Sequence, residues 1–213
     1  MNNLLSKIIL KYYRDLLTGY VQKEFVYHIV KRAKKVFSTL NKYIVIDEQK
    51  IVHSLTVISF KNVSESTIKK SLPLVICKEW YDNHKKTGSR KKFLNIIIDE
   101  AHNILSGQSN RESETWKDYR LETFEEIIKE GRKFGVFLTI ASQRPFDISQ
   151  TIISQLHNYF LHRLINNKDI EAIEKTVSYL DKVSFESIPI LPQGTCVLAG
   201  LAFQLHVIIK VDE

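Results

Sequence analysis

The sequence predicts an α/β domain with a largely parallel sheet flanked by helices and a C-terminal β-hairpin. Three observations carry that expectation. Two short continuous apolar runs, FLNIIIDE at 93–100, which ends in its two acids, and VFLTIAS at 136–142, have the composition of strands buried on both faces beneath covering helices. Stretches with helical spacing of apolar residues alternate with them, as in a sheet built from crossover units. The tail alternates as TCVLAG and FQLHVIIKV around Gly200, which is a hairpin pattern.

Taken in order, residues 3–17 set Leu4, Leu5, Ile8, Ile9, Tyr12, Leu16 and Leu17 at helical spacing, and Gly19 ends or bends that helix. A second helix is expected over about 20–40, with Val21, Phe25, His28, Ile29, Ala33, Val36 and Phe37 on one side and Lys23, Lys31, Lys34 and Lys35 on the other. His28 reads as a helix-face residue rather than a ligand. Residues 43–47 and 51–60 are β-rich, with a turn at 48–50. From Ser64 to about His84 the pattern is helical, with Ser64 or Ser66 as cap, Pro73 as a kink or late start, and Ile68, Leu72, Val75, Ile76 and Trp80 facing inward.

Residues 83–92 form a polar, basic connection. After the first apolar run, 106–115 is polar and loop-like. A helix over about 116–133 packs through Leu121, Phe124, Ile127 and Ile128. Beyond the second apolar run come a short helix over 149–156, a strand over 158–165 and a helix over 169–179, with Asp169 where a helix start favours an acid.

Composition bounds the function. The chain has 213 residues, 44% hydrophobic and 26% charged, enough for one good core and a small appendage. Residues 1–98 hold 19 Lys/Arg against 7 Asp/Glu, and residues 99–213 hold 12 against 17. A basic half suggests an anionic partner such as DNA, although solvated helix faces give the same imbalance. Cys77 and Cys196 lie in apolar runs without metal-ligand spacing and read as reduced thiols of a cytoplasmic protein. No apolar run approaches the roughly 18 residues of a membrane span.

The chemistry gathers at strand ends, where ligands of open α/β sheets bind. Asp99 and Glu100 follow the first apolar run, and Ser142-Gln143-Arg144-Pro145 follows the second. Two acids there either start a loop or cap the next helix, or they form a Walker B element. In the latter, the first holds a water on Mg²⁺ and the second polarises the water that attacks a γ-phosphate. Gln143 offers both a donor and an acceptor beside such a water, or it is a polar loop residue. Arg132, between Gly131 and Gly135, either stabilises a helix C-terminus or reaches a neighbouring subunit's phosphate as an arginine finger.

The run IIIDEAHNIL, the turn EGRKFG, the strand end ASQRP and the tail LPQGTCVLAG resemble the HerA branch of the HerA–FtsK superfamily of hexameric DNA-pumping ATPases, over roughly residues 55–211. That resemblance implies an incomplete RecA-like P-loop NTPase core over 46–213, preceded by a helical segment over 1–45. It implies Asp99 and Glu100 as Walker B, Gln143 as sensor and Arg132 as the arginine acting in trans, with Arg144 a second candidate. ATP and Mg²⁺ are the implied cofactors. DNA, a homo- or hetero-oligomeric ring and a nuclease are the implied partners. DEAH also occurs in a class of RNA helicases, but none of that class's companion motifs is present.

These 213 residues contain no GxxxxGK[ST], the loop whose backbone donors and Lys cradle phosphates. The expectation is therefore a chain whose phosphate-binding loop is supplied elsewhere, as in a truncated or split ATPase. The alternative is a non-catalytic DNA-binding or assembly subunit. A sheet without its loop-bearing strand should leave an apolar face uncovered and the chain dependent on a partner.

Overall fold

The computed structural model describes residues 2–43, 54–87, 92–108, 113–178 and 180–211. The chain forms two compact units, Met1–Lys69 and Lys70–Glu213. The β-rich run expected over 43–47 begins at Tyr43, which is instead the last residue of the helix Lys23–Tyr43, and its remainder, with the expected boundary at 45/46 and the turn at 48–50, lies outside the described residues.

In the first unit, α1 (Asn2–Leu17) stops where Thr18, Gly19 and Tyr20 donate their N–H groups back to Arg14, Leu16 and Asp15. In α2 (Lys23–Tyr43), Val26 and Phe37 are buried and Lys23, Lys31, Lys34 and Lys35 are exposed. Phe25, His28 and Val36, expected on the inner side, are exposed instead. Residues 54–65 contain neither helix nor strand, which corrects the strand expected over 51–60 in its described part. Leu55 and Val57 are 77% and 84% exposed. A β-rich run forms a strand only against a neighbour, and the described residues offer it none.

α3 (Ser66–Thr87) runs helically through Pro73. The inward stripe is Leu74, Cys77 and Tyr81, not Val75 and Trp80, which are exposed. Both sets have helical spacing, so periodicity alone does not choose. The edge-on contact of the Tyr81 ring with Phe134, 6.2 Å between centroids, belongs to the face that wins.

β1 (Leu94–Ile98) and β2 (Val136–Ile140) pair in parallel, with Leu94 opposite Val136 and Ile98 opposite Ile140. The ladder continues past the strands, since Ala141 N donates to Ile98 O and Ala101 N to Ala141 O, each at 2.9 Å. The crossover contains α4 (Glu114–Glu130), whose Phe124 and Ile127 share the core with Ile96, Ile98 and Val136. At the α4–β2 join a Cβ on Gly131 would lie 2.6 Å from Val136 O, so only glycine lets the helix end settle on the strand start.

The opposite face of this sheet is open, with Phe93 66%, Ile97 72% and Phe137 42% exposed. Burial on both faces is thus corrected to burial on one. The apolar runs carry the composition of a two-sided strand, but cover comes from tertiary neighbours, and among the described residues α3 and α4 cover one face.

After α5 (Gln150–Ser154), a second sheet is antiparallel in the order β3 (Asn158–Leu161), β4 (Thr195–Gly200), β5 (Val207–Lys210). Its β4–β5 pair is the hairpin expected from the tail. Gly200 has φ +126°, and a Cβ there would fall 2.1 Å from His157 O, so glycine is required where β4 crosses the start of β3. Between β3 and β4 lie α6 (Asn167–Thr176), capped by Asn166, and α7 (Lys182–Ser187), capped by Asp181. The bond from Ser184 N to Asp181 holds that carboxyl below its ordinary range. The sequence reading did not anticipate α7, whose six residues are too few for a periodicity.

Burial pushes the Cys77 thiol up to about 11 and raises that of Cys196 as well. The thiolate is the reactive form. Both cysteines are therefore expected to resist a disulfide reagent at neutral pH in the native chain and to react promptly in denaturant. Rapid native labelling of two thiols per chain would contradict this packing.

Candidate functional site

The site is built where β1 and β2 end side by side. The parallel register that sets Ile98 opposite Ile140 delivers the residues after each strand to one edge. After β1 the chain enters a tight turn, Ala101–Asn103, through Glu100 at φ +49° and ψ +44°. Glu100 is the one non-glycine residue with positive φ among those described. A left-handed conformation costs an ordinary residue roughly 1–2 kcal/mol and is a recurrent feature of functional sites. The turn is anchored because Ala101 is fully buried and bonded to β2.

The two strand ends meet through side chains. Gln143 Nε2 donates to Glu100 Oε1 at 3.1 Å, joining residues 43 apart in sequence. His102 Nδ1 lies 3.3 Å from Glu100 Oε2 and 3.2 Å from Ser142 Oγ. Arg144 N donates to Ser142 Oγ at 3.0 Å. Asp99 is exposed, and its Oδ1 accepts the N–H of Glu100 at 2.9 Å. Its remaining carboxylate capacity faces solvent, which suits a cation held chiefly through water and phosphate oxygens. Among the described residues no group of three or more His, Cys, Asp or Glu could hold a metal directly.

Of the residues singled out from sequence, Asp99, Glu100, Gln143 and Arg144 come together. Arg144 lines an open cleft of about 310 Å³ with Lys70, His102, Asn103, Ser106 and Asp147. Arg132 does not join them. It is exposed in the short turn Gly131–Phe134, which precedes β2, whereas Gln143 follows β2. A five-residue strand separates them by roughly 16 Å. Arg132 thus stands at the opposite end of β2 from Gln143 in its own chain.

Three supporting residues escaped the sequence reading. His102 stands two positions after Glu100, and its chemistry depends on Ser142 from another strand. Arg120 in α4 is fully buried, and its guanidinium donates to Ile104 O and, at 3.2 Å, to Ser106 O, pinning the segment after the acidic turn. Asp169, read only as a helix-start acid, is buried and accepts the N–H of Phe146 at 3.0 Å, fixing the loop after Gln143. A charged residue inside a helical pattern gives no sequence signal of such a bond. The available hint for Arg120 is its place on the same stripe as Phe124 and Ile127.

The fold and these strand ends define the class: the chain has the RecA-like α/β fold. Its structure matches VirB4 of Thermoanaerobacter pseudethanolicus with a TM-score of 0.56 over 71% of this chain and 39% of that one, at 16% identity. In sequence the chain is similar to HerA helicases. It is 26% identical over its whole length to the DNA double-strand break repair helicase HerA of Sulfurisphaera tokodaii. Over 54% of its length it is 33% identical to the HerA of Saccharolobus solfataricus. The chain spans 43% of the first relative and 22% of the second. No family profile matches it.

Proposed function

We propose that this chain forms the hydrolysis and sensing side of a HerA-type, ATP-driven DNA translocase or helicase that works as an oligomeric ring. Glu100 orients and polarises the attacking water. Asp99 holds Mg²⁺ through water. Gln143 reports the presence of the γ-phosphate to the end of β2. Arg132, remote from its own chain's acids, acts on the nucleotide of a neighbouring subunit, with Arg144 as the second candidate. The observation that carries this reading is the Gln143–Glu100 hydrogen bond, which couples a candidate water-activating acid to a candidate sensor across two parallel strands. The name of the Sulfurisphaera tokodaii relative, a DNA double-strand break repair helicase, supports DNA at a double-strand break as the substrate class. The exposed lysines of α2 are the candidate DNA contacts, and a nuclease is the candidate companion in end processing.

The reading is tested by combining the chain with a family segment that carries GxxxxGK[ST], on the same polypeptide or in trans. DNA-stimulated ATP hydrolysis is expected from the combination. A combination that assembles and binds ATP but never hydrolyses it would favour a non-catalytic assembly subunit. Among the described residues, no helix is long and apolar enough to cross a membrane.

A further inference from the structure

Both oxygens of the Glu100 carboxylate are engaged, and only one partner, Gln143, belongs to the reading above. The other is His102, whose side chain is 15% exposed, against 43% for Glu100. Its Nδ1 faces two atoms at once, Glu100 Oε2 at 3.3 Å and Ser142 Oγ at 3.2 Å. An ionised carboxylate can only accept hydrogen bonds. A bare ring nitrogen at that place would set a lone pair against it. Ser142 Oγ already accepts from Arg144 N, and a hydroxyl oxygen has room for a second donor. All three groups are satisfied when the neutral ring carries its proton on Nδ1 and shares it between Glu100 and Ser142.

We propose that His102 is a positioning residue that clamps Glu100. Its Nδ1–H holds Oε2 while Gln143 holds Oε1, and Ser142 ties the ring to the end of β2. The carboxylate then has one orientation instead of a free rotation about its last bond. Any movement of the Ser142–Arg144 segment is felt by the acid along two routes, one through Gln143 and one through His102. The consequence for hydrolysis rests on the catalytic reading of Glu100, but the clamp itself is a property of this chain. Misplacing a reacting group by about 1 Å can cost up to about a hundredfold in rate, so loss of one of two anchors is expected to lower turnover without weakening nucleotide binding.

Two measurements test the clamp. In the ¹⁵N-labelled chain at about pH 8, ring nitrogen shifts are expected to show His102 protonated on Nδ1 with Nε2 bare. The opposite tautomer overturns the proposal. In the hydrolysing combination, His102→Ala is expected to reduce kcat about tenfold with KM for ATP within about twofold. His102→Asn, whose amide can stand where Nδ1 stood, should recover most of the rate, and His102→Leu, which only fills space, should not. A His102→Ala variant with normal kcat, or a leucine that rescues as well as asparagine, also overturns it. Hydrolysis that survives Glu100→Gln removes the catalytic reading instead, and the nitrogen shifts still decide whether the clamp exists.

Discussion

Glu100→Gln is expected to lower kcat for ATP hydrolysis by about two to four orders of magnitude while ATP binding stays within about twofold, as read by steady-state assay and nucleotide titration. Glutamine has the same shape, so the left-handed backbone at this position and the packing of Ala101 are undisturbed. What is lost is charge. A neutral amide cannot accept a proton from the attacking water, nor draw the Gln143 amide as strongly across the 3.1 Å that separates them. A protein that keeps normal turnover with glutamine here has its general base elsewhere, and the assignment of Asp99 and Gln143 as its companions fails with it.

Arg120→Met is expected to destabilise the chain by about 2–4 kcal/mol, measured as a lower denaturant midpoint. The Ile104 and Ser106 carbonyls both lose their guanidinium donor, and an unsatisfied buried group costs roughly 1–3 kcal/mol. Methionine fills the volume but offers no donor. Arg120→Lys, with a compact ammonium in place of the fork, should fall between the two, because it reaches one carbonyl and not both. Since Ile104 and Ser106 follow the acidic turn directly, the Met variant is also expected to hydrolyse more slowly than its loss of stability explains. An unchanged midpoint would show that water satisfies those carbonyls and that the guanidinium is not the pin.

Much of the fold was legible because its helices are long. α1, α2, α4 and α6 all exist near their expected places, as does the closing hairpin. The failures share one cause. Residues 54–60 look like a strand but have no neighbour to pair with among the described residues. The stripe of α3 was read off by position, and tertiary contact chose Leu74, Cys77 and Tyr81. Ile97 and Phe137 look like residues buried from both sides, yet burial depends on what packs above them.

The sequence by itself determined which residues stand at the ends of the two parallel strands, and so which acids and which amide the chain brings to one edge. Local composition is enough for that, because a short apolar run followed by Asp99-Glu100 or Ser142-Gln143-Arg144 marks its own strand end. Only the tertiary structure decided that Gln143 grips Glu100, that His102 and Ser142 complete the contact, that Arg120 and Asp169 hold the loops in place, and that Arg132 stands apart. Those facts depend on the register between strands and on the side chain each helix turns toward them. Both are set by long-range packing between segments that the linear order of residues leaves far apart.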